Sequence, residues 1–203
     1  MTEIIKSMLL ILIVLNPFLL IIYLIDIVKK QTERQFSFAI IRAGIISCGV
    51  FIIFAILGNY IFQNILQANF YSFQIFGGII FLLIAIKFVF NGNAAINGLR
   101  GDSKHVTGAI AMPIMIGPGT ISASIMIGEK LNHKFAILSI FLAVLFSVVI
   151  MILLKYLHDY VKIKKSYLID MYVETAGRIT ALVVGTIAIE MIMRGLKIWI
   201  SQI

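Results

Sequence analysis

The segment Met112–Thr120, MPIMIGPGT, places two prolines and two glycines inside a run of 23 uncharged residues, Val106–Gly128. A run of that length is long enough to cross a lipid bilayer as a helix. Proline removes a backbone donor and clashes with the preceding turn, and glycine weakens a helix. Since the hydrocarbon core holds no water to satisfy the freed backbone groups, the segment predicts a helix that is interrupted for a purpose.

The composition is that of an integral membrane protein. Of the 203 residues, 61% are hydrophobic and 13% are charged, and the mean hydropathy is +1.07, well outside the range of soluble domains. The net charge of +8 is expected from basic residues on the cytoplasmic side of the membrane. Nucleic acid is not an expected partner, because no soluble basic domain is present to bind it. We expect a single membrane domain over residues 1–203.

The apolar runs predict six membrane spans. The spans cover about Ile5–Ile25, Ala39–Ile61, Ser72–Phe90, Val106–Ile127, Phe135–Leu154 and Ala176–Ile200. The longest connection, Lys155–Thr175, has 21 residues. Six spans place 12 of the 17 Lys and Arg residues on one side, at span ends or, like Lys155, in connections. The positive-inside bias therefore predicts that both termini lie outside the cytoplasm.

Two similar stretches indicate an internal repeat. Span 3 ends in IAIKFVFNG (Ile84–Gly92) and span 6 ends in IAIEMIMRG (Ile187–Gly195), with four of nine positions identical. Two halves of three spans each follow, at about residues 4–92 and 106–200. Because three is an odd number, the second half must enter the membrane from the opposite side, which gives the inverted repeat common among transporters.

The helix interruptions lie at equivalent places in the two halves. Asn16-Pro17 and Gly117-Pro118 are 101 residues apart, close to the 103 residues that separate the repeated stretches. Asn is favoured at the N-cap of a helix and proline at its first position, so each pair predicts the start of a half-helix.

A helix start exposes unpaired N–H groups and carries a partial positive charge. Two such starts facing each other would bind a carboxylate. The predicted substrate-binding residues are Asn16, Pro17, Gly117, Pro118, Gly119 and Thr120. The alternative is a pair of proline kinks whose freed groups are satisfied by neighbouring helices.

Glu190 and Arg194 interrupt span 6 and, being four residues apart, share a helix face. An ionisable group within a span suggests a function, and Glu190 is the candidate for proton coupling. The alternative is a structural ion pair that reaches toward the outer interface. The histidines and aspartates all fall at span ends or in connections. We therefore expect no catalytic residues, no metal site and no cofactor, and the protein is not expected to be an enzyme.

These motifs resemble those of the MarC family of bacterial inner-membrane proteins, in the superfamily of the lysine exporters. The resemblance rests on the interruption in span 1, Gly77-Gly78 in span 3, the MPIMIGPGT motif, and GRITALVVGTIAIEMIMRG (Gly177–Gly195) in span 6. It implies six spans in inverted repeats and, for some members, transport of glycine or alanine with protons.

The chain departs from the family pattern in spans 1 and 3. Leu19 and Ile22 stand where the family usually has glycine and proline, and Gln74 stands where an arginine is frequent. Leu19 makes the second half of span 1 bulkier, so we expect a different substrate or an altered site.

The fold prediction is an all-α, polytopic membrane protein with six transmembrane helices, arranged as two inverted three-helix repeats in which helices 1 and 4 are broken. The predicted function is secondary transport of a small neutral amino acid or similar zwitterion across the bacterial inner membrane, coupled to protons, by alternating access. The expected partners are a glycine-like or alanine-like substrate and the lipid bilayer, and a homo-oligomer is left open. Two alternatives remain: a passive channel for small neutral solutes, and a non-transporting membrane protein that assembles with a partner.

Overall fold

The regular structure of the chain is helical. The computed structural model describes residues 2–24, 28, 31–91, 115–162 and 166–201, and these contain no strand. The helices are α1 (Thr2–Leu15), α2 (Pro17–Tyr23), α3 (Glu33–Tyr60), α4 (Phe70–Asn91), α5 (Pro118–Lys130), α6 (His133–Lys162) and α7 (Ser166–Ile200). A π-helical turn, Ile61–Ile65, extends α3. The first part of predicted span 4, including Pro113, lies outside the described residues.

Within the described ranges, three helical segments are long and apolar enough to cross a membrane: Glu33–Ile65, Phe70–Lys87 and His133–Tyr160. They coincide with predicted spans 2, 3 and 5. Predicted span 1 is divided between α1 and α2, and predicted span 6 lies within α7. The predicted all-helical membrane class is confirmed.

The helices α3 and α6 have buried residues at equivalent positions, 100 residues apart in the chain. Each buried residue of α3 from Phe36 to Ala55 has a buried counterpart 100 positions later in α6. These residues recur at intervals of three or four, so they form one face of each helix. In α3 the face consists of Phe36, Ala39, Ile40, Ala43, Gly44, Ser47, Phe51 and Ala55.

The packing places α5 among several other elements. The pairs in contact include α3 with α5 and α6, α1 with α5 and α6, and α2 with α6 and α7; α4 packs on α5 and most extensively on α7. The last pair runs antiparallel and close, because Gly78 faces Ile192 and Gly195 faces Ile75. The outward faces carry exposed large apolar side chains, as expected where lipid is the solvent.

The structure corrects the prediction for the segment Lys155–Thr175. It was expected to be a connection, but α6 continues to Lys162 and α7 begins at Ser166. Lys155, expected among the solvated charges beyond span 5, is 2% exposed. A charged residue marks the end of a span only when the charge needs water, and the ammonium group of Lys155 has protein partners instead.

Candidate functional site

The first helix interruption lies at Asn16. The predicted helix start at Pro17 is confirmed, and α1 ends one residue before Asn16. The N–H of Asn16 donates to the carbonyl of Leu12 and the carbonyl of Asn16 accepts the N–H of Leu20, both at 3.0 Å. The φ angle of Asn16 is 41°, in the left-handed region, whereas an N-cap is usually extended. Asn16 therefore resembles a residue that ends a helix, because asparagine tolerates this conformation.

The second interruption is the start of α5. Gly117 is the N-cap, with φ −117° and ψ 168°, and Pro118 is the first helical residue, which confirms the predicted start. Thr120 closes this turn. Its Oγ1 accepts the N–H of Gly117 at 3.0 Å and lies 2.9 Å and 3.0 Å from the carbonyl oxygens of Gly117 and Met115. The single hydroxyl proton can be donated to one of these two carbonyls.

Among the described residues, two backbone donors at the start of α5 have no hydrogen-bond acceptor. A helix start leaves four N–H positions without an intrahelical acceptor. At α5 the first of these, Gly117, is paired with Thr120, and Pro118 has no N–H. The remaining two are the N–H groups of Gly119 and Thr120, which lie at the positive end of the helix.

Side chains from three other helices surround Gly119. A methyl group built on Gly119 would lie 2.8 Å from Cε2 of Phe81, 3.1 Å from Cγ1 of Val14 and 3.6 Å from Sδ of Met191. Val14 precedes Asn16 by two residues, so the first interruption lies beside the start of α5. The ring of Phe81 also covers Gly117, where a methyl group would lie 3.0 Å from its Cζ.

Gly77 allows α4 to approach the start of α5. A side chain at this position would overlap Cβ of Pro118 and would lie 3.4 Å from Cε of Met191. The sequence marks Gly77 only through the family resemblance. The structure supplies the physical reason, since no larger residue fits between α4 and Pro118.

Two buried polar side chains near this point have unused acceptors. Ser122 follows Gly119 by three residues, is 5% exposed, and its hydroxyl has no hydrogen-bond partner within the described part of the chain. By contrast, Ser124 donates to the carbonyl of Thr120 at 2.7 Å. Gln74 precedes Gly77 by three residues, is also 5% exposed, and its Oε1 is unpaired in the same part of the chain. Such atoms are uncommon and indicate an additional polar ligand or water. Sequence reasoning did not assign Gln74 to the site.

Glu190 does not belong to this group of residues. Its Oε1 accepts a hydrogen bond from Nε of Arg194 at 2.7 Å, and both side chains are more than half exposed. The next residue, Met191, is the one that reaches Gly119. Proton coupling through Glu190 stays a prediction.

Among the described residues, no group of three or more His, Cys, Asp or Glu side chains could hold a metal ion.

A family model described as MarC family integral membrane protein matches residues 1–200. The chain belongs to the MarC family. This MarC family protein is 26% identical over 204 residues to the "UPF0056 membrane protein" of Buchnera aphidicola subsp. Schizaphis graminum, and the match covers 100% of both chains. It is also 26% identical over 210 residues to the "UPF0056 inner membrane protein YhgN" of Escherichia coli K12, covering 99% of this chain and 100% of the relative. No solved structure matches it significantly.

The relatives are named as membrane proteins, and the one from Escherichia coli as an inner membrane protein. Together with the apolar helices, this makes the MarC family protein an integral membrane protein.

Leu19 and Ile22 belong to α2, but their side chains lie outside the described part of the structure. Their effect on the site stays a prediction.

Proposed function

We propose that this MarC family protein is a secondary transporter for a small neutral amino acid or a similar zwitterion. The observation that carries the proposal is the proximity of Val14 and Gly119, which sets the two helix interruptions side by side among the packed helices. The N–H groups of Gly119 and Thr120 provide two donors at the positive end of α5. A carboxylate would satisfy both donors.

An amino acid also carries an ammonium group, which needs oxygen acceptors. Ser122 Oγ and Gln74 Oε1 are buried acceptors without a partner among the described residues. Ser122 shares a helix face with Gly119, and Gln74 shares one with Gly77. The apolar side chains around Gly119 leave little room, which favours a substrate as small as glycine or alanine.

The helix contacts support two inverted repeats. If the two halves are equivalent, α1 and α2 correspond to α5, α3 corresponds to α6, and α4 corresponds to α7. The packed pair α1–α6 then corresponds to the pair α5–α3, which is also packed. Likewise, the packed pair α4–α5 corresponds to the pair α7–α2, which is also packed. The shared burial positions of α3 and α6 agree with this relation. Two such halves can rock about a central site and expose it alternately to each side, and we expect both termini outside the cytoplasm.

Uptake by proteoliposomes tests the proposal. We expect saturable uptake of labelled glycine or alanine, driven by a proton gradient. Gly119→Leu should abolish uptake because the new side chain fills the start of α5. Gly49→Leu is the matched control, since a methyl group at Gly49 meets no atom within 4 Å. The proposal fails if folded wild-type protein moves neither amino acid, with or without the gradient. Rapid, non-saturating flux that ignores the gradient would instead identify a passive channel.

One observation favours a non-transporting membrane protein as the second candidate. The ring of Phe81 packs on both Gly117 and Gly119, as it would in a sealed helix contact. In a transporter the same ring must move to admit the substrate. Thermal unfolding with and without glycine or alanine distinguishes the two. A transporter is stabilised by its substrate, and Phe81→Ala changes the affinity, whereas a sealed contact gives no ligand-dependent shift.

A further inference from the structure

Lys155 is a buried charge that the proposed substrate site does not use. It lies in α6 and is 2% exposed. Its Nζ donates to the carbonyl oxygen of Val28 at 2.6 Å and lies 2.7 Å from Oδ2 of Asp159. A buried ammonium group needs such partners, because an unpaired charge is strongly destabilising away from water.

Hydrogen bonds of helical spacing link Val28 to α2. The N–H of Leu24 donates to the carbonyl of Leu20 at 3.0 Å, and the N–H of Val28 donates to the carbonyl of Leu24 at 2.8 Å. The N–H of Thr32, four residues after Val28, donates to Oε1 of Gln35, and a carbonyl without an intrahelical donor carries a partial negative charge. Lys155 supplies both a donor and a positive charge there. Lys155 therefore binds a carbonyl that two hydrogen bonds of helical spacing link to Leu20 in α2, the helix that starts at Pro17 in the proposed site.

The equivalent junction in the other half of the chain is built differently. Ala55 lies 100 positions before Lys155, and Gly128 lies 100 positions after Val28. The carbonyl of Ala55 lies directly against Gly128, where any side chain would overlap it. At the α3–α5 junction the backbones are thus in close contact, and one turn along α3 Nδ2 of Asn59 donates to Oε1 of Glu129 in α5 at 2.8 Å. At Val28 the contact with α6 is made by the side chain of Lys155, a hydrogen bond that can break and form again.

We propose that Lys155 is a positioning residue that fastens α2 to α6, so that the two move as one unit and the start of α2 is held in the substrate site. This inference rests on the proposed function. Asp159 lies one helical turn from Lys155 and keeps the ammonium group paired if Val28 moves away. Nδ1 of His158 lies 3.2 Å from Oδ1 of Asp159, which orients that carboxylate.

Hydrogen exchange in lipid nanodiscs tests whether Lys155 holds Val28 against α6, and the measurement does not depend on transport. Lys155→Met keeps the length of the side chain but removes the ammonium group. We expect the amides of residues 20–28 to exchange about tenfold faster, the change for one lost charge-assisted hydrogen bond. The matched control is Lys87→Met, because Lys87 is exposed on α4, and it should leave these amides unchanged. Lys155→Arg should restore most of the protection.

Transport kinetics of the same variants separate positioning from a purely structural role. We expect Lys155→Met to raise the KM for glycine or alanine more than it lowers kcat, because the start of α2 is displaced. If Lys155→Met does not fold, Lys155→Gln keeps a neutral donor and should give an intermediate increase in exchange. Unchanged exchange at residues 20–28 together with an unchanged KM overturns the inference. Faster exchange in a protein that moves no amino acid supports the fastening and removes the proposed function.

Discussion

Replacing Gly119 by alanine measures the crowding at the start of α5. The added methyl group would lie 2.8 Å from Cε2 of Phe81 and 3.1 Å from Cγ1 of Val14, closer than ordinary van der Waals contact. Gly49→Ala is the matched control, since the same methyl group there meets no atom within 4 Å. Both positions are helical. The gain in helix propensity, up to about 1 kcal/mol, is therefore common to the two variants.

The difference in stability between the two variants isolates the steric effect. Overpacking a well-packed interior costs about 1–3 kcal/mol. We expect Gly119→Ala to be less stable than Gly49→Ala by this amount. For a chain of about 200 residues, this corresponds to a difference of about 2–12 °C in Tm. Gly49→Ala should melt at or slightly above the temperature of the wild-type protein.

Thermal unfolding in detergent, followed by light scattering and intrinsic fluorescence, measures both variants under the same conditions. A third variant, Phe81→Leu, removes the ring that the methyl group meets. In the double variant the two substitutions should compensate, with a coupling energy of about 0.5–3 kcal/mol. Equal Tm values for Gly119→Ala and Gly49→Ala would refute the crowding. Additive effects of Gly119→Ala and Phe81→Leu would show that another side chain limits the space.

Substitutions at three further positions test the two helix interruptions and the exposed ion pair of Glu190. Thr120→Val should lower the free energy of unfolding by about 1–3 kcal/mol, because the N–H of Gly117 is left unpaired. Thr120→Ser should keep most of the stability, and equal Tm values for the two would contradict the role of the hydroxyl. Asn16→Ala should be about 1–2 kcal/mol less stable than Asn16→Gly, because a positive φ favours glycine; indistinguishable Tm values would argue against that strain. Glu190→Gln should change stability by less than about 1 kcal/mol, since its ion pair is exposed. Uptake that becomes independent of the proton gradient in this variant would support coupling, and unaltered gradient dependence would exclude it.

The features that follow from local chemistry could be predicted from the sequence. The apolar composition requires a membrane protein whose backbone groups are satisfied within helices. The helix starts at Pro17 and Pro118 depend on the fixed φ angle and the missing N–H of proline, which are properties of the residue itself. The same local reasoning missed the left-handed conformation of Asn16, because a single asparagine is compatible with either the end of one helix or the start of the next.

By itself, the sequence determined where the helices are interrupted and that the chain lies in a membrane, because proline geometry and hydrophobicity act at each position regardless of its neighbours. Only the tertiary structure decided what surrounds those interruptions. Phe81 is far from Gly119 along the chain, and its ring reaches Gly119 only once α4 packs on α5. The sequence alone suggested that Lys155 lies in water, because a lysine normally marks the end of a span. In the folded protein it is buried, since a carbonyl 127 residues away, that of Val28, and a carboxylate one helical turn along α6 replace the water around its charge.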